Sequence, residues 1–232
     1  MCGRFSDKYN GHKLMVRYQT ANRGFEFVPN KNIAPTQFSP VVVMEEGRNL
    51  LKVMKWGLIP SWAKDVKIGV KCFNARAETL EEKATFRNSF KSRRCLIPAD
   101  AFYEWREEQE MRHVSDDERE FEGIEAVRLP TGKKFKQPYR FSVRGQEIFS
   151  LAGLWATWKA PDGNELESFT IITTEPNELM AQYHNRMPVI LPKDKEQVWI
   201  NPEFTNPVLL KGLLKPYPTD ILEVQSIDKR SL

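Results

Sequence analysis

Apolar and polar positions along the chain change places in short runs, with few long helical stripes. Leu14, Met15 and Tyr18 fall at helical spacing within residues 10–20, which predicts a short helix. Val41-Val42-Val43-Met44 and Leu50-Leu51-Lys52-Val53-Met54 flank Glu45-Glu46-Gly47-Arg48-Asn49, the pattern of a hairpin around a glycine turn. Further strands are predicted over 101–106, 139–144, 147–156 and 167–174. Ala160-Pro161-Asp162-Gly163-Asn164 separates the last two as a hairpin turn, and Thr131-Gly132 reads as another turn. Residues 81–92 read as a helix, with Glu81 and Glu82 near its start and Arg93 and Arg94 past its end, the arrangement its dipole favours. Residues 192–200 and 207–214 also look helical. Trp56 to Trp62 is too rich in glycine and proline for a regular element. There is no internal repeat, low-complexity tract or linker, so residues 1–232 are expected to form a single β-dominated α+β domain.

Composition narrows the class. The chain is 41% hydrophobic and 28% charged, as soluble globular proteins are. No apolar run approaches the roughly 20 residues needed to span a bilayer, so no membrane partner is expected. The polar stretch Ser6 to Asn10 stands where a secretory signal would carry its apolar core, which points to a cytoplasmic protein, nucleoid-associated if bacterial. Three cysteines without Cys-x-x-Cys spacing argue against a disulfide framework and against a zinc site. The net charge is +4, but residues 106–126 hold nine acidic residues against three arginines, a local −6 that leaves +10 on the rest. Such a surplus suits a polyanion partner such as nucleic acid, and equally a solvated basic surface. The acidic stretch 107–125 reads as a loop insertion between two strands.

The candidate chemistry begins at the second residue. Methionine is usually trimmed before a residue as small as cysteine, which would leave Cys2 with a free α-amine beside its thiol. These groups titrate at about 7.7–8.0 and about 8.5, so both nucleophiles are partly available at neutral pH. The amine forms an imine with an aldehyde, and the thiol can close on the imine carbon to give a thiazolidine. The pair also suits acyl transfer. Read alone, Cys2 is better taken as an accidental residue on a frayed terminus. Three other stretches carry suitable groups: Asn74, Arg76 and Glu78 in FNARAET; Glu104 between aromatic residues in AFYEW, where desolvation raises a carboxyl pKa; and His184 beside Arg186 in YHNRMP. Their alternatives are a Glu78–Arg76 ion pair, a surface glutamate and a packed core histidine. Cys72 and Cys95 are expected to pack as small apolar residues.

Together, Cys2-Gly3-Arg4-Phe5, Trp56-Gly57-Leu58-Ile59-Pro60, Asn74-Ala75-Arg76-Ala77-Glu78-Thr79, Arg94-Cys95-Leu96-Ile97-Pro98, Phe102-Tyr103-Glu104-Trp105 and His184-Asn185-Arg186-Met187-Pro188 resemble, in order, the SRAP (SOS-response-associated peptidase) domain family, which includes HMCES-type abasic-site shields. The likeness runs from residue 2 to about residue 225. It implies twisted antiparallel sheets in an open barrel-like core with a few peripheral short helices. It implies a DNA damage-response role in which Cys2, freed of Met1, forms a thiazolidine cross-link with the ring-opened sugar of an abasic site in single-stranded DNA, with associated lyase and reversal chemistry. Asn74 would position the Cys2 amine, Glu104 would serve as general acid/base, and His184 as the second. Arg76 and Arg186, and less strongly Arg4, would contact phosphates. Trp105 would stack on a base, with Trp56 and Trp62 as weaker candidates. No metal or organic cofactor is implied, and the protein is expected to be a monomer. The acidic stretch, longer than the typical family loop, would repel DNA if it folded over the groove. Two rival functions remain: a cysteine (auto)peptidase using Cys2 with His184 as base, and a non-covalent module for single-stranded or modified DNA. The covalent reading asks for an exposed amine–thiol pair close to Asn74, Glu104 and His184.

Overall fold

The computed structural model describes residues 2–22, 26–113 and 128–231. Its strands, in chain order, are β1 (Phe5–Asp7), β2 (Asn30–Ile33), β3 (Phe38–Glu45), β4 (Arg48–Trp56), β5 (Asn74–Arg76), β6 (Arg94–Ala99), β7 (Ala101–His113), β8 (Arg128–Val143), β9 (Phe149–Lys159), β10 (Glu165–Thr174), β11 (Met187–Pro188), β12 (Ile190–Leu191) and β13 (Leu222–Ser226). The expected β-dominated α+β core is present, and its central sheet closes. The order β10-β4-β3-β6-β9 is completed by a ladder from β9 back to β10, so these five strands form a barrel. Its pairings are antiparallel apart from β10, which runs parallel to β4 and to the short β5.

Alternation along the barrel strands separates two apolar clusters. Val41, Val43, Cys95, Ile97, Leu151 and Ile171 join one with Phe5, Phe102 and Phe141 of the second sheet. Their neighbours Val42, Leu96, Ala152 and Ile172 join the other with Leu14, Phe90, Trp199 and Leu210, which come from the peripheral helices Gly11–Tyr18, Ala84–Ser92, Glu196–Ile200 and Pro207–Gly212. A period of two on strands thus supplies both faces that the fold must bury. The hairpin β3–β4 turns at Glu46 and Gly47, both at positive φ (50° and 71°), as a two-residue primed turn requires.

The second sheet runs β13-β8-β7-β1-β2. In it Phe5 pairs with Phe102 and Phe102 with Phe141, the last two rings stacking at 5.0 Å. The start of the chain is thereby laid along β7.

Three expectations change. Residues 107–113 are not loop: they continue β7, and β7 and β8 stay paired out to His113↔Arg128, with residues 114–125 of the expected insertion lying outside the described residues. The alternation of the flanking β-rich runs simply continues through charged residues, because a solvent-exposed ribbon tolerates them. Thr131-Gly132 is a bulge within β8, not a turn: Gln109 pairs with Lys134 and Met111 with Pro130, leaving residues 131–133 opposite Glu110 and Gly132 at φ 81°. The helix predicted from residue 81 begins at Ala84, so Glu81 and Glu82 precede it. Arg94 sits beyond that helix as expected, yet it is buried on β6 and not solvated. Its guanidinium donates to the carbonyls of Phe90, Lys91, Trp199, Asn201 and Phe204, which closes the ends of two helices, and burial lowers its pKa to about 10.

Gly153 lies where β9 crosses β6 and β10. A Cβ there would meet Ile97 Cδ1 at 2.3 Å, Cys95 Sγ at 2.9 Å and Thr170 O at 2.9 Å. Gly153→Ala should therefore cost about 1–3 kcal/mol in a denaturant titration, as overpacked cores do. Gly212→Ala, with nothing within 4 Å of the added methyl, should be neutral or slightly stabilising in the same assay.

Candidate active site

Cys2 precedes β1 and is wholly buried. Two hydrogen bonds hold this stretch. Tyr103 N donates to Arg4 O at 2.9 Å, extending the β1–β7 ladder towards the chain start. Asn74 Nδ2 donates to Cys2 O at 2.8 Å, tying it to β5. β5 is itself fixed: Asn74 pairs with Ile171 of β10, and Trp56 Nε1 donates to Phe73 O at 2.7 Å just ahead of it. Asn74 and Cys2 are 72 positions apart in sequence.

The burial of Cys2 corrects the expectation of an exposed pair. Its side chain packs in the cluster of Phe5, Trp56 and Phe102. Burial, with the charge of Glu104, pushes the thiol well above its usual range. A thiol so placed stays protonated. While Met1 is attached, the Cys2 nitrogen is an amide and not a nucleophile.

Glu104 comes from the β7 segment beside Cys2 and is 4% exposed. Burial raises its carboxyl to about 7, against the opposing charge of the chain's amino terminus. His184 follows a single turn at Met180–Gln182, its amide donating to Met180 O at 2.9 Å. Its Nδ1 accepts the Arg186 amide at 3.0 Å, which requires that nitrogen unprotonated. Burial and the amino-terminal charge lower its pKa. Burial acts on all three groups, and the charge of Glu104 reaches Cys2.

The nominated DNA-binding residues divide. Arg76 is exposed on β5, two positions from Asn74, and makes no ion pair among the described residues. Arg4 donates to Asn32 Oδ1 at 2.7 Å. Arg186 donates to both carboxylate oxygens of Glu78 at 2.8 and 2.9 Å and to Thr173 O at 2.7 Å. It is held as an internal clamp, and Glu78 pairs with it, not with Arg76. Trp56 is fully buried, edge-on to Phe5 at 5.1 Å, which removes it as a base-stacking candidate. Trp62 is 54% exposed. Trp105 is half-buried, and strand alternation turns it to the opposite face from Glu104. On the Glu104 face stand instead Tyr139, its partner across the ladder, and Tyr183, whose ring meets that of Tyr139 at 4.7 Å. Neither was legible: Tyr139 is placed by register, and Tyr183 hides in the lead to the histidine motif. No group of three or more metal-ligating side chains gathers among the described residues.

A family model for SOS response associated peptidase (SRAP) matches residues 1–230. The chain is an SRAP-family protein. It is 41% identical over 230 residues to the abasic site processing protein YoqW of Bacillus subtilis, covering 98% of this chain and 92% of that one. The abasic site processing protein HMCES of Xenopus tropicalis is 33% identical over 186 residues, covering 73% of this chain and 52% of the frog protein. A crystal structure of a Bacteroides thetaiotaomicron protein superposes with a TM-score of 0.81 at 27% identity, over 98% of this chain and 93% of that one.

The raised Glu104 carboxyl carries a stability signature for this SRAP protein. Its folded pKa of about 7 exceeds the ordinary 4.5, so the native state binds the extra proton between those values. Stability from this group falls as pH rises through that window and levels off above it. Glu104→Gln, which stays neutral, should gain stability relative to the parent at pH 8 compared with pH 5, by on the order of 1–3 kcal/mol in thermal or urea unfolding.

Proposed function

We propose that this SRAP protein processes abasic sites in single-stranded DNA by capturing their aldehyde on Cys2 once Met1 has been removed. The observation that carries the reading is the Asn74–Cys2 hydrogen bond, which fixes the start of the chain beside a buried carboxyl of near-neutral pKa.

In this reading, loss of Met1 turns the Cys2 amide into an amine, and Cys2, wholly buried in the fold, has to become accessible for the sugar to reach it. The amine attacks C1′ of the ring-opened sugar, a carbinolamine forms, and water leaves to give the imine. The Cys2 Sγ–C1′ bond then forms while the thiol proton passes to nitrogen, closing the five-membered thiazolidine. The net change is aminothiol plus aldehyde to thiazolidine plus water. Glu104, half-protonated near neutral pH, protonates the departing oxygen and accepts protons in reversal. His184, neutral because its pKa is lowered, acts as the second base. If the imine is intercepted before the thiol closes, abstraction of a C2′ proton expels the 3′ phosphate, which is the lyase outcome. The raised thiol pKa orders the steps: the amine reacts first, and the thiol adds as a neutral group to a carbon already activated.

The processed protein, incubated with an abasic-site oligonucleotide, should give a heat-resistant shifted band on a denaturing gel that is absent in Cys2→Ala. Cys2→Ser should give an adduct only after borohydride trapping, because it keeps the amine and lacks the thiol. Binding with no covalent band would favour the non-covalent module, and peptide turnover without either would favour the peptidase. Active protein that retains Met1 by intact mass would overturn the reading. Arg76→Ala should weaken binding and reduce the salt slope by about 0.7, one phosphate contact on a single strand. An unchanged slope removes Arg76 from that role.

A further inference from the structure

Beyond Glu104 on the same face of β7, the structure presents a composed cationic group that nothing above assigns. Strand alternation turns Arg106 to the Glu104 side, about 7 Å further along the strand. Its guanidinium carbon lies 5.1 Å from the ring centre of Tyr139 and 4.9 Å from that of Tyr183, so it sits in the angle between two rings meeting at 62°. Arg106 Nε donates to Glu108 Oε1 at 2.7 Å and Nη2 donates to Tyr139 OH at 3.1 Å, while that hydroxyl donates to the same Glu108 oxygen at 2.5 Å. Nη1 has no hydrogen-bond partner among the described residues, and the side chain is 35% exposed. Tyr183 directly precedes His184, and Tyr139 faces Glu104 across the ladder, so both supports of Arg106 belong to the walls of the candidate site.

From this geometry we infer that Arg106, seated on Tyr139 and Tyr183, binds the backbone phosphate of the nucleotide next to the abasic residue. The inference rests on the proposed function and deepens it. An arginine backed by two rings loses little freedom on binding, and its planar fork matches phosphate oxygens. A step of two strand residues from the reacting carboxyl is comparable with the reach to an adjoining nucleotide. Arg186, the phosphate contact expected from sequence, is held by Glu78 and Thr173, which leaves Arg106 to supply a cation on this side of the site. Glu108 is the competitor: its carboxylate occupies the edge of the guanidinium that a phosphate would take, so binding exchanges one anion for another.

The competition gives the test its sign. Binding of a fluorescein-labelled undamaged single-stranded oligonucleotide is followed by anisotropy at several salt concentrations, so the readout does not depend on the covalent step. Arg106→Ala should weaken binding about tenfold and lower the salt slope by about 0.7. Glu108→Gln, which removes the competing charge and keeps the cation, should tighten binding severalfold. Unchanged affinity and slope in Arg106→Ala would overturn the inference. Weakening in both variants would also overturn it, since Arg106 would then act only by holding the ribbon together. The wild-type denaturing-gel assay on abasic DNA reports separately on the proposed function: a covalent band with a silent Arg106 sinks this inference alone, whereas tight, Arg106-dependent binding without a band sinks the covalent chemistry alone.

Discussion

The hydrogen bond from Asn74 Nδ2 to Cys2 O joins the first residues of the chain to a three-residue strand that is itself anchored on β10 and on the Trp56 indole. Chain ends ordinarily fray, because their backbone groups find water as readily as protein. Here Cys2 O and Arg4 O both accept hydrogen bonds from residues far along the chain, and Phe5 is buried directly behind them. Ordering the terminus costs conformational entropy that is met once, during folding, by the apolar cluster around Phe5, Trp56 and Phe102. On the proposed function, a nucleophile held in this way would not have to be ordered again when a substrate arrives, which is how pre-positioned groups lower a barrier.

Burial at that point also sets the protonation states. Desolvation moves acids up and bases down, and the three groups show this: the thiol and Glu104 rise while His184 falls. The carboxyl is thereby brought into the range where it can exchange protons at neutral pH, while the imidazole is kept neutral and able to accept one. The cost is the thiol, which burial makes a poor nucleophile by itself. On the proposed function, the amine would therefore be the group that starts the reaction, and a cysteine at a processed terminus is the residue that provides both. The same burial argues against a cysteine peptidase of the usual kind, which needs a thiolate at the first step.

Much of this was legible from residue patterns and part was not. The β3–β4 hairpin, the turn at residues 160–164 and the helices near residues 11–18, 196–200 and 207–212 follow from local periodicity and turn chemistry, which are properties of neighbouring residues. The missed strands β1, β2, β5, β6, β11, β12 and β13 are two to six residues long and exist because a partner strand receives them, which no window of sequence contains. The site divides in the same way. Cys2, Asn74, Glu104 and His184 could be nominated from residue type and resemblance, but the exposure of Cys2 could not, because it is buried in a cluster with Phe5, Trp56 and Phe102 from three different strands. Arg186 shows the limit most clearly. Its charge suggests a phosphate, whereas its surroundings supply Glu78 and the Thr173 carbonyl at closer range.

The acidic ribbon bears on how DNA is attracted at all. A net of −6 near the site would oppose a polyanion if its charges acted together. In the fold, the acidic side chains nearest the site do not. Glu107 pairs with Lys134 at 2.8 Å, Glu108 with Arg106 at 2.5 Å and Glu110 with Lys133 at 3.7 Å, each cancelling within the ribbon. Beyond about one Debye length, roughly 8–10 Å in ordinary salt, such pairs present little field. Cross-strand register, with an acidic β7 facing a basic β8, thus neutralises these three glutamates within the ribbon. On the proposed function, attraction of a strand would rest on exposed cations such as Arg76 and not on these paired side chains.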